Sequence, residues 1–309
     1  MEYAPIIIGT YSRIEHLKRC VESLKKNRLA KKTILIIGID YPIKDSHKLD
    51  NDSIKEYCKD IIGFEKVIIK EWDCNLGARE NFAKLRDIAF EFSETVIITE
   101  DDNVFHPGFL EYMNTNLSNY EDDNRIFAIC GYNYPVTYSE EDGNEIDQLV
   151  LKSYSAWGVG VWKNKYKQVD FSSQAYVDIL KSPLKIYDVN KNVGDHILLH
   201  YLDAISNNKV YGDTWISLHI YKNNQFCIFP MISLVKNIGN DGTGLNCGID
   251  EKISYQKVLR DNQNINYTKL KVFEIKRYRE LLNQYFKTSF KCKIKFTFDL
   301  IKYIYLGLK

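Results

Sequence analysis

Three adjacent carboxylates follow a short run of apolar residues in the sequence. Glu100, Asp101 and Asp102 come directly after Val96-Ile97-Ile98-Thr99, a run typical of a buried β-strand. Carboxylates this close repel one another and cost stability unless a cation lies beside them. Mg²⁺ and Mn²⁺ take such oxygens and keep waters and substrate phosphates as their other ligands. We therefore predict a Mn²⁺ or Mg²⁺ site that neutralises a diphosphate leaving group, with a solvated acidic turn as the alternative.

The elements around these acids alternate between strand and helix. Buried strands are predicted over 4–9, 33–39, 66–70 and 95–99, and segments with helical apolar spacing follow the first and the third of them. This order predicts a mostly parallel sheet with helices on both faces, in which ligands bind beyond the carboxyl ends of the strands. Later segments predict strands over 126–130 and 226–235 and a helix over 193–207. Polar candidates stand just after four of the strands: Thr10, Asp40, Asn75 and the acidic triplet.

Composition bounds the class of protein. The chain has 309 residues and a formal net charge of +1, and this near balance argues against a dedicated nucleic-acid-binding protein, which usually has a strong basic excess. Its seven cysteines are scattered without a CxxC pair, which favours a reducing cytoplasm over a disulfide framework or a zinc ribbon. We also expect no signal peptide and no membrane span, because no apolar stretch is long enough.

The C-terminal stretch has a different composition. Residues 268–309 carry eleven basic and three acidic side chains, whereas the whole chain has a net charge of only +1. The same stretch is rich in Phe, Tyr, Ile and Leu. One hypothesis is peripheral contact with an anionic membrane, which would place the protein at the inner face of the cell membrane. The alternative is a helix that packs its apolar face on the domain and turns its lysines to water.

Four stretches of the sequence resemble one enzyme family. Ile97 to Asp102, followed by His106-Pro107-Gly108-Phe109-Leu110, is similar to the metal-binding segment of GT-A glycosyltransferases, in particular the Glu-Asp-Asp variant of the DxD motif in the N-acetylglucosaminyltransferase I-like group. Bacterial family-2-type sugar transferases of surface-polysaccharide loci are similar in that segment and in three others. These are 5–13, 155–162 and 237–244, so that the resemblance spans roughly residues 4–247.

The resemblance implies a fold and an activity. It implies a GT-A nucleotide-sugar-binding domain over residues 1–250 and leaves 251–309 as a basic, aromatic, mainly helical extension. The implied reaction moves a hexosyl or N-acetylhexosaminyl group from a nucleoside-diphosphate sugar, of UDP type, to the hydroxyl of a saccharide or lipid-linked saccharide, with inversion. Bacterial surface polysaccharide or glycan synthesis is the implied context.

The resemblance also implies site residues. It makes Asp102 the metal ligand, although the triplet is not a literal DxD, and it places Trp157 in a wall against the acceptor or the donor sugar. The implied nucleotide-sugar contacts are Thr10, Tyr11, Arg13, Asp40, Asn75, Gly77, Arg79, Glu100 and Asp101.

An inverting transfer needs a carboxylate that takes the proton of the acceptor hydroxyl. The family carries such an acid late in the domain, and Asp195 matches that place. Capping of the following helix is the structural alternative for Asp195, and the competing bases are Asp241 and then Asp213.

Two other functions remain open from the sequence. A nucleotidyltransferase acting on a sugar phosphate can use a similar domain, but it normally has a Gly-rich basic loop after the first strand. The stretch from Gly9 to Arg13 is a poor version of that loop. A non-catalytic saccharide-binding protein is the second alternative, and it would have no need of the acidic triplet.

Overall fold

The computed structural model describes residues 3–138, 147–243, 269–270 and 274–306. The predicted domain boundary at residue 250 lies outside these described residues. So does Gly244, the last residue of the matching stretch 237–244. The same is true of much of the predicted extension, namely 251–268, 271–273 and 307–309.

Ten strands and eleven α-helices are present in the described residues. The strands are β1 Ile6–Thr10, β2 Ile34–Ile39, β3 Lys66–Glu71, β4 Thr95–Glu100, β5 Asn103–Phe105, β6 Ile126–Cys130, β7 Gln148–Leu151, β8 Val159–Trp162, β9 Phe226–Pro230 and β10 Val235–Asn237. The helices are α1 Ile14–Lys25, α2 Lys48–Lys59, α3 Gly77–Ala89, α4 Phe109–Asn119, α5 Lys163–Tyr166, α6 Val177–Leu180, α7 Pro183–Asn192, α8 Asp195–Ser206, α9 Gly212–Lys222, α10 Lys276–Tyr285 and α11 Phe290–Ile301.

Eight strands form one sheet in the order β3-β2-β1-β4-β8-β6-β9-β7. The first four of this order run parallel to one another, and β6 and β9 form a further parallel pair, whereas β8 and β7 run antiparallel to their neighbours. β1 and β4 are neighbours in register, with Gly9 opposite Glu100. The residues that follow these two strands therefore leave the sheet side by side.

The sheet is buried on both faces, as its continuous apolar strands require. Along β1, Ile6 and Ile8 pack into the core on one face, and Ile7 packs into the core on the other. Trp162 closes the first core, where its indole Nε1 donates to the Leu117 carbonyl at 3.2 Å. The predicted Rossmann-like α/β sheet with helices on both faces is thus confirmed.

One predicted strand is two strands in the structure. The run 226–235 ends its first strand at Pro230, which has no N–H to donate to a ladder, and the chain then turns before β10. β10 leaves the large sheet and pairs antiparallel with β5, which places Asn237 opposite Asn103. This second sheet brings a late part of the chain next to the acidic triplet.

The C-terminal segment is helical and packs on the rest of the protein. Tyr278 and Leu282 of α10 are buried in the core on the second face of the sheet. Arg279 is also buried and donates to Glu274 Oε1 at 2.6 Å and to the Val193 carbonyl at 3.2 Å. The helical character predicted for the extension is confirmed for 276–285 and 290–306. None of the described helices combines the length and hydropathy needed to cross a membrane.

Candidate active site

The ends of β1 and β4 bring Thr10 and Arg13 onto the acidic triplet. The Thr10 hydroxyl donates to Asp101 Oδ2 at 2.8 Å, and the Arg13 guanidinium donates to the other oxygen of the same carboxylate. Arg13 also pairs with Asp102 Oδ2 at 2.9 Å. Asp101 and Asp102 are only 3% and 5% exposed, so one guanidinium is the cation that compensates two buried carboxylates.

The segment after β10 completes the surroundings of Asp102. Asn237 donates through Nδ2 to Asp102 Oδ1 at 2.8 Å, and the Ile238 N–H donates to the Asp102 carbonyl at 2.8 Å. Gly239 lies so close that a Cβ there would be 2.1 Å from Asp102 Oδ2. A glycine at this position therefore lets the backbone reach the carboxylate. Two stretches of the family resemblance, 237–244 and 97–110, meet at this contact.

Glu100, at the end of β4, and Asp213, in α9, lie close enough for their charges to interact. Loss of surrounding water raises the pKa of Glu100 to about 8, and the negative charges of Asp102 and Asp213 add to the rise. Arg13 opposes it with a smaller effect. A carboxylate repelled by three neighbouring acids, as Glu100 is, has an environment that a further cation would relieve.

Asp213 lies in the first turn of α9. Its side chain is exposed to solvent, yet the surrounding protein removes enough water to raise its pKa to about 6. Its negative charge also contributes, after burial, to the raised pKa of Tyr134 and Tyr154. An accessible carboxylate with a pKa near neutrality is suited to general base catalysis.

Aromatic rings form a connected wall near Asp213. The predicted wall residue Trp157 is half-buried and meets Tyr132 edge to face, with ring centroids 4.6 Å apart. Tyr132 in turn meets Tyr134, which contacts Tyr285 and Phe286 of the C-terminal segment at centroid distances of 5.9 and 4.7 Å. Such rings can stack on the C–H faces of a sugar. The wall therefore extends from the sheet onto the C-terminal segment.

Asp40, Asn75 and Gly77 come together at the next strand ends. The Asp40 carboxylate accepts from the N–H groups of Leu76 and Gly77, both at 2.8 Å, and from Asn75 Nδ2 at 3.2 Å. It also accepts from the Tyr41 N–H at 2.9 Å. These bonds fix the loop that begins α3, so Asp40 has a structural duty beside the nucleotide contact predicted for it.

Tyr11 and Arg79 lie on either side of that loop. The Tyr11 hydroxyl accepts from the Ile43 N–H at 3.0 Å and lies 3.1 Å from His47 Nδ1, which anchors the segment after β2. Arg79 is in the first turn of α3, with its guanidinium 6.0 Å from the centre of the Phe171 ring. The predicted nucleotide contacts thus form a row along the carboxyl edge of β1, β2, β3 and β4.

The structure gives Asp195 partners in the C-terminal segment. Its carboxylate accepts from the Thr288 N–H at 3.1 Å and pairs with Lys293 Nζ at 2.8 Å. Asp241, the second candidate, accepts from Thr243 and lies 3.2 Å from His16 Nε2. The bonds to Thr243 lower the pKa of Asp241, which weakens it as a base. Of the three candidate bases, Asp213 is the one whose charge reaches the acidic triplet.

The donor set fits a metal that depends on its substrate for ligands. Among the described residues, no three or more His, Cys, Asp or Glu side chains are grouped so as to hold a metal ion by themselves. Mg²⁺ sites commonly use one or two carboxylates together with waters and substrate phosphates, so Asp102 with Glu100 beside it meets that requirement. A zinc-type cage of several protein ligands does not fit these residues.

The sequence assigned Asn237 and Gly239 no individual role, although both lie in the stretch 237–244 that carries the family resemblance. It ranked Asp213 last among the bases, and it did not predict the helix that begins at Gly212. The available signal was Gly212-Asp213 directly before an apolar run, the same local pattern as Gly194-Asp195.

Comparison with known proteins gives distant structural matches. No protein-family model matches the chain, and no curated protein matches its sequence. Among solved structures, the mannosyltransferase PcManGT from Pyrobaculum calidifontis, in complex with GDP-Man and Mn²⁺, is 13% identical over 71% of this chain and 69% of that chain, with a TM-score of 0.38. Residues 1–349 of S. aureus TarS are 13% identical over 72% of this chain and 70% of that chain, with a TM-score of 0.36. A longer TarS structure is 11% identical over 72% of this chain and 43% of that chain, with a TM-score of 0.38. Similarity at this level supports no functional argument. The proposed function therefore rests on the geometry of the site.

Proposed function

We propose that this protein is a metal-dependent glycosyltransferase of GT-A type, which moves a sugar from a nucleoside-diphosphate sugar to a saccharide hydroxyl. One observation carries the proposal. Asp101 and Asp102 are buried at the carboxyl edge of the sheet beside Glu100, and a single arginine compensates the cluster. A divalent cation with a diphosphate would complete this charge balance, and such a metal would supply Lewis-acid stabilisation of the leaving diphosphate.

The residues at the carboxyl edge of the sheet would have different roles in binding. Asp102 would hold the metal. Asn237 orients one oxygen of its carboxylate, and the metal would replace Arg13 as the cation at the other. Glu100 would contact the donor sugar or ribose. Thr10 and Arg13 would orient the triplet from β1. The row from Tyr11 to Gly77 would hold the nucleoside, with Arg79 close to its phosphates.

Asp213 is proposed as the general base, in place of Asp195. The acceptor oxygen would attack the anomeric carbon while Asp213 takes its proton, and the bond from that carbon to the diphosphate would break with inversion. Three observations support this assignment: Asp213 is exposed to solvent, its pKa is raised to about 6, and its charge interacts with Glu100. The Asp195 oxygens are engaged by Thr288 and Lys293. The aromatic wall at Trp157 would bind the acceptor saccharide.

The family resemblance refines the substrate class. It supports a UDP-linked hexose or N-acetylhexosamine as donor and a saccharide or lipid-linked saccharide of bacterial surface glycan synthesis as acceptor. These assignments rest on the matching sequence stretches rather than on a contact in the structure.

Release of nucleoside diphosphate from nucleotide sugars tests the proposal. We expect one class of nucleotide sugar to be cleaved by the protein with Mn²⁺ and not with chelator. Removing one well-placed stabiliser of transition-state charge costs about 10²- to 10³-fold in rate, and we expect a loss of that order for Asp102→Asn.

Asp52→Asn is the matched control, because it makes the same chemical change at an exposed ion pair on α2. It should keep the rate of the parent protein. Release that needs no metal, or that Asp102→Asn leaves intact, would refute the proposed function.

A further inference from the structure

α11 presents two different apolar faces. Phe296, Leu300 and the following Tyr303 pack against the cluster formed by α6 to α9. On another side, the exposed fractions are 79% for Phe290, 43% for Ile294, 62% for Phe298 and 45% for Ile301. At about 100° per residue, these four exposed side chains fall within an arc of about 80°. We call this arc the outer stripe of α11.

Three lysines run along one flank of the outer stripe. Lys291, Lys295 and Lys302 follow the stripe at positions about 100° to 140° around the helix from Phe290, and all three are exposed. Asp299 is the one acidic residue in the sequence 290–306. The outward surface of α11 therefore joins exposed aromatic and aliphatic side chains to a row of positive charges.

Side-chain contacts hold the start of α11 in this orientation. The Ser289 hydroxyl caps its first turn by accepting from the Cys292 N–H at 3.2 Å. Lys293 pairs with Asp195 at 2.8 Å, and Asp195 also accepts from the Thr288 N–H just before the helix. Packing and the Lys293–Asp195 ion pair thus keep the outer stripe turned outward. The proposed catalysis does not use this ion pair.

We propose that the outer stripe and its lysine row are a docking surface for a lipid bilayer that contains anionic lipids. A helix with large apolar side chains on one face and lysines at the border lies in the plane of a membrane interface, with the apolar face among the acyl chains. The lysines then meet the negative headgroups, which attract basic residues near the surface. A second copy of the chain fits less well, because an antiparallel symmetric contact would place lysine rows against each other.

The position of α11 relates this surface to the aromatic wall. Phe286, three residues before Ser289, packs against Tyr134 of the aromatic wall. Docking through α11 would therefore hold the wall near the bilayer surface, where the sugar of a lipid-linked acceptor lies. This last step rests on the proposed function, whereas the docking itself does not.

Co-sedimentation with vesicles tests the docking without any nucleotide. We expect the full-length protein to pellet with vesicles of phosphatidylcholine and phosphatidylglycerol, and far less with phosphatidylcholine alone. The double variant Phe290→Ser with Phe298→Ser should lower the partition coefficient at least about tenfold, since burial of each large apolar side chain favours the membrane. Lys291→Gln with Lys295→Gln should lower it too and should weaken its dependence on salt.

The control removes exposed apolar side chains elsewhere. Leu49 and Ile62 are 81% and 73% exposed at α2 and just after it, so Leu49→Ser with Ile62→Ser should keep full vesicle binding. Circular dichroism checks that each variant is folded. Failure of the parent protein to bind anionic vesicles, or unchanged binding after the Phe290 and Phe298 substitutions, would overturn the proposal. A dimer in solution that these two substitutions dissolve would assign the outer stripe to a second copy instead.

Discussion

Replacing Asp213 by Asn should lower kcat for sugar transfer by about 10²- to 10⁴-fold, the usual contribution of a positioned general base. The amide cannot take the proton of the acceptor hydroxyl, yet it keeps the size and polarity of the side chain. Because Asp213 is proposed to act on the acceptor and not on the diphosphate, the KM for the nucleotide sugar should change little. Initial rates with varied donor and acceptor measure both quantities.

The pH profile gives an independent reading of the same residue. The pKa of Asp213 is raised to about 6 by its surroundings, so the base is protonated and inactive below that value. We expect kcat/KM of the free enzyme to rise with pH through about 6 in the parent protein and to lose this limb in Asp213→Asn.

Asp195→Asn is the matched control for Asp213→Asn. Each aspartate follows a glycine and lies in the first turn of a helix, at the start of α8 and of α9. The Asp195 variant should keep its transfer rate and lose some stability, since Asp195 joins α8 to Thr288 and Lys293. The reverse pattern, with transfer lost at Asp195 and kept at Asp213, would return the catalytic base to the residue that the sequence favours.

Replacing Arg13 by Gln should destabilise the metal-free protein by about 3–5 kcal/mol, the range for removing one partner of a buried ion pair. Asp101 and Asp102 would then be buried charges without a cation. Urea unfolding at pH 7.5 measures the loss. The loss should shrink in acid, where the carboxyls are protonated in the folded protein and need no partner.

Two further variants separate this cause from a general loss of packing. Adding Asp101→Asn to Arg13→Gln should restore part of the stability, because it removes one of the stranded charges. Arg28→Gln breaks an exposed pair with Glu111, at 2.8 Å, and should change stability by less than about 1 kcal/mol. Equal losses for Arg13→Gln and Arg28→Gln would show that the buried acids do not depend on Arg13.

The first half of the fold could be predicted because local patterns there agree with tertiary structure. Runs of Ile and Val predict β1 to β4, and the polar residues that follow each run lie at the carboxyl edge of the sheet. The helix α9 was missed because Thr214 to Ile220 are all buried, which leaves no helical period in the sequence. The four-residue strand β7 was not predicted either.

The contacts that define the site are mostly long-range. Arg13 and Asp101 are 88 residues apart, and Asn237 and Asp102 are 135 apart, so no local pattern could pair them. Asp195 and Asp213 are alike in sequence and differ only in what the fold places against them. Tertiary structure therefore decides which carboxylate faces the acidic triplet.

Calorimetric titration of the protein with Mn²⁺, with and without a nucleoside diphosphate such as UDP, tests the central claim most directly. The claim is that the acids at the end of β4 need both a divalent cation and a pyrophosphate to complete them. We expect weak binding of Mn²⁺ alone, tight and saturable binding when the diphosphate is present, and loss of this coupling in Asp102→Asn. Diphosphate binding that ignores Mn²⁺, or coupling that survives in Asp102→Asn, would contradict it.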